Sequence, residues 1–169
     1  QVPAGYPEVM AVASTSAQDG VNGYDEFFPP CVGIPNVKKD TASYFTTDGA
    51  FLGGIGVTVS APGDSQEDLF SYFEACFLET IGILSVALGG STTELSGTSM
   101  AAPHVAGVIA LMWEKELGLG LNLSPEVART RIRNNVDRRG TAPLDSPVEE
   151  YSFDNDREGV IWAPAAVGD

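Results

Sequence analysis

Leu95-Ser96-Gly97-Thr98-Ser99-Met100-Ala101-Ala102-Pro103-His104-Val105-Ala106-Gly107 is the stretch on which the reading of this chain turns. It places two hydroxyl residues directly after a glycine and, past Met100 to His104, opens a long apolar run, VAGVIALMW. Thr98 or Ser99 is suited to cap a helix there, and Pro103 falls within the first turns, where a missing N–H costs little. The run is apolar on nearly every face, so a helix over 98–117 is expected to be buried all round. Glu114 to Glu116 mark its emergence into solvent, and Gly118 and Gly120 end it.

Working outward, residues 6–15, YPEVMAVAST, predict a buried strand. Residues 56–61, GVTVSA, predict a short strand stopped by Pro62-Gly63, and residues 81–88, IGILSVAL, predict another. Between them, residues 64–80 carry acids around Phe70, Tyr72, Phe73 and Phe77, a pattern that suits either a helix or a second excursion of the chain. Ser124-Pro125-Glu126 starts a second helix that runs to about Val136. Residues 137–158 read as loop, and residues 159–167 as a short strand or helix. Strands separated by helices indicate an α/β chain with a largely parallel sheet.

Composition narrows the partners. The 169 residues are 43% hydrophobic, enough for a sizeable core, and carry 9 basic against 23 acidic side chains, a formal charge of −14. Nothing here neutralises a phosphate backbone, so nucleic acid is excluded as a partner, and Arg129, Arg131 and Arg133 read as a solvated helix face. The same charge argues against an anionic membrane surface, and no apolar run is long enough for a membrane span. No signal peptide is expected at the start, which begins with Gln1.

The chemistry centres on Ser99. A serine in the first turn of a long helix meets unpaired backbone N–H groups and the positive end of the helix dipole, a setting that stabilises a developing oxyanion. A serine at a helix start is ordinarily only a cap. The whole string decides between these, because Gly97 to Gly107 resembles, without a gap, the nucleophile motif of the subtilisin-like serine proteases, G-T-S-M-A-x-P-H-V-A-G. Tyr6-Pro7-Glu8-Val9-Met10-Ala11-Val12 is similar to the family's Y-P-x-V-I-A-V strand, and Val59-Ser60-Ala61-Pro62-Gly63 to its V-x-A-P-G strand end. Residues 156–167 look like the final turn and helix of the catalytic domain.

The resemblance implies a subtilisin-like three-layer αβα fold with a mostly parallel sheet, present here as its C-terminal portion over residues 1–169. It implies a serine endopeptidase acting on polypeptides through an acyl-enzyme at Ser99. Leu95, Ser96, Gly97, Thr98 and Met100 are the expected substrate-binding neighbours. The family's D-[ST]-G and H-G-T-H motifs and its oxyanion asparagine lie upstream of the Y-P-x-V strand, and none of them occurs in this chain. His104, the one histidine, lies five residues past Ser99, about 7.5 Å along the helix axis and about 140° round, out of reach. In the family the matching histidine is structural. The chain alone is therefore expected to be inactive and to need an N-terminal half supplying Asp, His and Asn. A non-catalytic binding or structural fragment is the alternative. An α/β-hydrolase is excluded by order, because no acid-then-histidine pair follows the serine.

Alignment with the family also carries smaller expectations. Gln1 falls at the floor of the primary specificity pocket and would make it shallower and more polar, and Val2-Pro3 matches a bond that is cis in relatives. Ala4, Tyr6 and Val9 match positions whose backbone carbonyls ring a weak cation. No cofactor is required, but structural calcium fits that place. Asp154 to Glu158 looks superficially like a calcium loop and lacks its glycine and twelve-residue frame. Against the family blocks, the chain carries additional residues at about 17–41 and 64–90, with Cys31 in the first and Cys76 in the second. Members are commonly secreted, where disulfides persist, so a bridge tying the two insertions is expected, with two buried thiols as the alternative.

Overall fold

The computed structural model describes residues 3–22, 31, 34–47, 56–73, 75–137, 143–146 and 158–168. The elements begin with β1 (Val12–Ser16) and β2 (Val59–Asp64), which pair in parallel from Val12↔Val59 to Ser14↔Ala61. Helix α1 (Thr98–Gly118) packs across this pair, with α2 (Pro125–Asn134) and α3 (Ala163–Val167) beyond it. Val59 and Ala61 from β2 meet Ala101, Val105, Val108 and Met112 from α1, and Ala128, Ile132, Val136 and Ala166 complete the core. Burying such side chains contributes about 25 cal/mol per Å² of apolar surface, so this seam is what fixes the helix on the strands.

Several boundaries differ from the sequence reading. Residues 6–9 form a turn rather than strand, because the Tyr6 amide donates to Pro3 O at 3.0 Å and the Val9 amide to Tyr6 O at 3.0 Å. β1 therefore starts only at Val12. β2 does not stop at Pro62-Gly63 but runs through them to Asp64. The pairing register shifts between Thr15 and Ser16, opposite this point, and such an irregularity accommodates a proline without a ladder donor. The cap of α1 is Gly97, not Thr98 or Ser99. The cap of α2 is as expected: Ser124 Oγ accepts from the Val127 amide, with Pro125 in the first helical turn. Arg131 is not merely solvated, since it pairs with Glu116 at 2.7 Å and joins α2 to α1.

Of the two alternatives for residues 64–80, helix or a second excursion of the chain, the structure shows the excursion. They form an antiparallel hairpin of β3 (Gln66–Tyr72) and β4 (Ala75–Ile81). Glu67 and Leu69 point inward at the two-residue period of a strand, and aromatic residues favour that state. Phe70 lies opposite Phe77 with their rings stacked at 5.6 Å. Residues 17–22 lie along β3, where the Gln18 amide donates to Ser65 O and the Leu69 amide to Val21 O. Cys31 and Cys76 are bridged, with Cα atoms 5.3 Å apart. A second hairpin, β5 (Ile83–Val86) and β6 (Thr92–Leu95), leads into α1. Parallel pairing is thus confined, between named strands, to β1 and β2 among the described residues; the hairpins are antiparallel.

Helix α1 is not buried all round. Ala101, Val105, Val108 and Met112 form its covered stripe, while Ala102, Ala106, Leu111, Trp113 and Leu117 are exposed. Strands β1 and β2 with α2 and α3 cover one side of the helix, and Trp113 and Leu117 stay half exposed or more.

Two expected outcomes follow from this packing. The disulfide closes a separation of 45 residues, for which lost chain entropy in the unfolded state is worth about 4 kcal/mol. Cys76→Ser in the full-length protein should lower unfolding free energy by about 2–4 kcal/mol in a denaturant titration, and an unchanged midpoint would show that backbone bonding to residues 17–22 suffices. A Cβ on Gly63 would lie 2.0 Å from Ser14 Oγ and 2.7 Å from Gly97 O. Gly63→Ala should therefore cost about 1–3 kcal/mol of stability by overpacking, read in the same titration.

Candidate active site

The loop before α1 is held to the end of β2 by one backbone bond, from the Gly97 amide to Gly63 O at 2.9 Å. This sets the mouth of α1 at the carboxyl end of a parallel strand, the edge at which open α/β sheets place their functional crevices. Gly97 turns the chain into the helix with φ 152° and ψ 161°, a conformation rarely adopted by residues with a side chain. Gly97 O then accepts from Met100 N at 2.8 Å and Ala101 N at 3.3 Å.

Ser99 is consequently inside the helix, at its second position, and exposed. Its hydroxyl caps nothing. Its amide is one of the orphan donors of the first turn and makes no hydrogen bond to any described residue. The nucleophile and one oxyanion donor can thus belong to the same residue, both facing out at the positive end of a 21-residue helix. Pro103, four residues on, offers no N–H to the Ser99 carbonyl.

His104 is accounted for. Its Nδ1 lies 2.8 Å from Met100 O, and with a carbonyl as partner Nδ1 carries the proton. The ring is tied back to its own helix, one turn away, and helix geometry carries it past Ser99 rather than toward it. Among the described residues no imidazole is available to take the Ser99 proton.

The structure brings the other predicted neighbours together around the helix mouth. Leu95, half exposed, ends β6, followed by the partly buried Ser96. Thr98 is exposed, and Met100 is partly buried with its sulfur near Gly97. Ala4, Tyr6 and Val9 lie on the turn before β1, where the Tyr6 carbonyl already accepts the Val9 amide and keeps one lone pair. Gln1, Val2 and residues 154–157 lie outside the described residues.

Sequence reasoning missed a polar network directly behind this mouth. Ser14 Oγ and Ser43 Oγ are 2.7 Å apart, and Ser43 Oγ donates to Asp64 Oδ2 at 2.5 Å. The Tyr44 amide donates to Glu67 Oε1 at 2.9 Å. Asp64 and Glu67 are both fully buried. Burial raises the Asp64 carboxyl above its usual range, against the Ser43 hydroxyl and the Ser16 hydroxyl that faces it. Burial pushes Glu67 up to about 8, with the Tyr44 amide opposing and the nearby Asp64 charge adding. No spacing in the sequence marks this group, because its members come from three separate segments.

Comparisons with known proteins agree with the geometry. The Peptidase_S8 description, the subtilase family, matches residues 1–151. Subtilisin-like protease 7 of Trichophyton equinum is 30% identical over 135 residues, 80% of this chain and 22% of that protein. Proteinase R of Parengyodontium album is 30% identical over 105 residues, 62% of this chain and 27% of that protein. The chain thus spans about a quarter of the length of these curated relatives. Among solved structures, the prenylagaramide maturation protease PagA aligns with 98% of this chain and 44% of its own at a TM-score of 0.54 and 20% identity, which speaks to the fold. Fold, helix-mouth serine and a family match over most of its length together place the chain: it belongs to the subtilase family.

Proposed function

We propose that this chain is the C-terminal portion of a peptidase S8 catalytic domain, carrying additional segments at about 17–41 and 64–90, and that it contributes the nucleophile of a serine endopeptidase. The observation that carries the reading is Ser99, an exposed helical serine with an uncommitted hydroxyl and an unpaired amide, within a subtilase sequence. In the proposed reaction Ser99 Oγ attacks the scissile carbonyl of a polypeptide. Its proton passes to a histidine supplied by the N-terminal half, oriented by an aspartate from the same half. The carbonyl oxygen becomes an oxyanion held by the Ser99 amide and an asparagine from that half. Collapse releases the amine product with the proton and leaves an acyl-Ser99 ester, which water then hydrolyses. Leu95, Ser96, Gly97, Thr98 and Met100 line the approach.

Three observations support a complementary half. The only histidine is bound to its own helix. The exposed apolar face of α1 offers that half a surface. The chain spans under half of the solved proteases it resembles. The disulfide fits an oxidising compartment and hence secretion. Structural calcium on the carbonyls of Ala4, Tyr6 and Val9 is part of this reading; nucleic acid and membrane are not.

The full-length protein should be labelled at Ser99 by a fluorophosphonate, and Ser99→Ala should abolish labelling and lower kcat by several orders of magnitude. A folded full-length protein that takes no label would leave the non-catalytic reading. Oxidation of Met100, whose sulfur lies beside Gly97, should impair turnover, because a sulfoxide places a polar group in the site. Met100→Leu should make activity resistant to peroxide; equal loss in both proteins would remove Met100 from the site.

A further inference from the structure

The β3–β4 hairpin turns an unusual surface to solvent. Its register puts Phe70 opposite Phe77 and Asp68 opposite Glu79 on one face, while Glu67 and Leu69 fill the other, buried face. An antiparallel pair with one covered face ordinarily turns polar side chains outward. Here the outward face carries the stacked rings of Phe70 and Phe77, and Phe77 and Ile81 are exposed. Tyr72 and Phe73 continue it at the tip, in edge contact with ring centroids 4.4 Å apart. Phe73 is 82% exposed and has φ 46°. A bulky residue at positive φ is costly, and hairpin loops ordinarily place glycine or asparagine there. Holding an aromatic ring in water at such a cost does not serve the core.

Strand β4 is also an open edge. β3 lies between it and residues 17–22, and no described residue pairs with its outer side. The Leu69 amide turns away from β4 to Val21 O at 2.8 Å, so Leu78, its register partner, turns its own amide and carbonyl away from β3. The edge is seven residues long, without proline, glycine or lysine, and its single charge is Glu79. Proteins ordinarily blunt or cover such an edge. The bridge from Cys76 to Cys31 holds it in place.

Charge selects the occupant. Asp68 and Glu79 lie directly across the pair as like charges, which favours a cation laid over them. No lysine or arginine among the described residues pairs with either. Two chains of net charge −14 repel each other, which disfavours a second copy. The base of the hairpin closes through the Ser65 amide and Ile81 O at 2.7 Å, two residues after Gly63, whose carbonyl anchors Gly97. The hairpin and the Ser99 turn thus rise from the same strand end.

We propose that the β4 edge and its aromatic outer face form a docking strand for an extended polypeptide that carries basic and apolar side chains on one face. Resting on the protease reading above, this polypeptide is a segment of the substrate outside the scissile bond. Its backbone adds to β4 through the outward amide and carbonyl of Leu78. Alternate side chains then lie over Phe77, Tyr72 and Phe73, where cationic groups meet ring faces and the carboxylates of Asp68 and Glu79.

The test is fluorescence anisotropy of a labelled peptide as long as β4, with lysine and phenylalanine in turn at alternate positions and threonine between. The protein is the full-length chain carrying Ser99→Ala, so that nothing is cleaved. The peptide should bind saturably, about tenfold tighter than a counterpart with glutamate for lysine. Phe73→Gly suits the backbone angle of the turn, so it should keep the thermal midpoint while weakening binding roughly fivefold. Glu79→Lys, at an exposed edge position, should remove the preference for lysine. Methylating every backbone amide of the peptide should abolish binding, because a strand partner needs its N–H groups. The docking strand is overturned if both variants bind as their parent does, or if the methylated peptide binds equally well. It is also overturned if no peptide binds because another part of the full-length chain covers the face, or if sedimentation shows a dimer that excludes the peptide, which would make a second copy the occupant. The two readings fail separately. Wild-type protein that takes the fluorophosphonate label without Ser99→Ala protein binding the peptide overturns the docking strand alone, and binding without label overturns the assignment of the peptide as substrate.

Discussion

The hydrogen bond from the Gly97 amide to the Gly63 carbonyl is the constraint on which the rest of this structure depends. It joins the end of a buried strand to the first residue before the long helix. Without it the helix mouth would be positioned only by the apolar stripe further along α1, and that stripe constrains rotation better than it constrains the first turn. Both partners are glycines, for different reasons. Gly63 leaves room for Ser14 Oγ and Gly97 O, while Gly97 adopts a backbone angle that a side chain disfavours. The bond thus selects residue types on both sides and leaves Ser99 exposed, helical and uncapped.

Behind that bond the protein places polar rather than apolar groups. Ser14, Ser43, Asp64 and Glu67 occupy positions where the neighbouring β-strand residues Ala13, Val59 and Ala61 are core. Residues 17–22 bond along β3, and Cys31–Cys76 clips the β3–β4 hairpin. Such a small two-stranded element is marginal alone. The disulfide and its bonds to residues 17–22 supply the order that its own exposed strand β4 does not.

The chain's hydrophobic content is distributed unevenly for the same structural reason. One face of α1 is sealed by β2, α2 and α3, and the opposite face stays open with Trp113 and Leu117 half exposed or more. The apolar character of VAGVIALMW is therefore only half explained by contacts within the described residues. A helix of this composition is ordinarily covered on both sides.

The sequence by itself determined the helix, the serine and the family, because these are carried by contiguous residues. Gly97 to Gly107 encode a helix start, its breaker and its small-residue packing in one unbroken string. Ser124-Pro125 likewise announced α2 through local capping chemistry. Comparison with the family blocks made a bridge between Cys31 and Cys76 the expectation over two buried thiols, and the fold shows the bridge. Tertiary structure alone decided what depends on residues far apart. Acids interspersed with aromatics do not distinguish a helix from a hairpin until β3 and β4 pair and residues 17–22 lie against them. Pro62-Gly63 reads as a stop until the bulge opposite Thr15 lets β2 continue through it. Whether Ser99 caps its helix was open until Gly97 took that place. The pairing of Asp64 with Glu67 was invisible, because Ser43 and Tyr44 bring them together from a third segment, and local spacing carries no record of contacts closed over more than twenty residues.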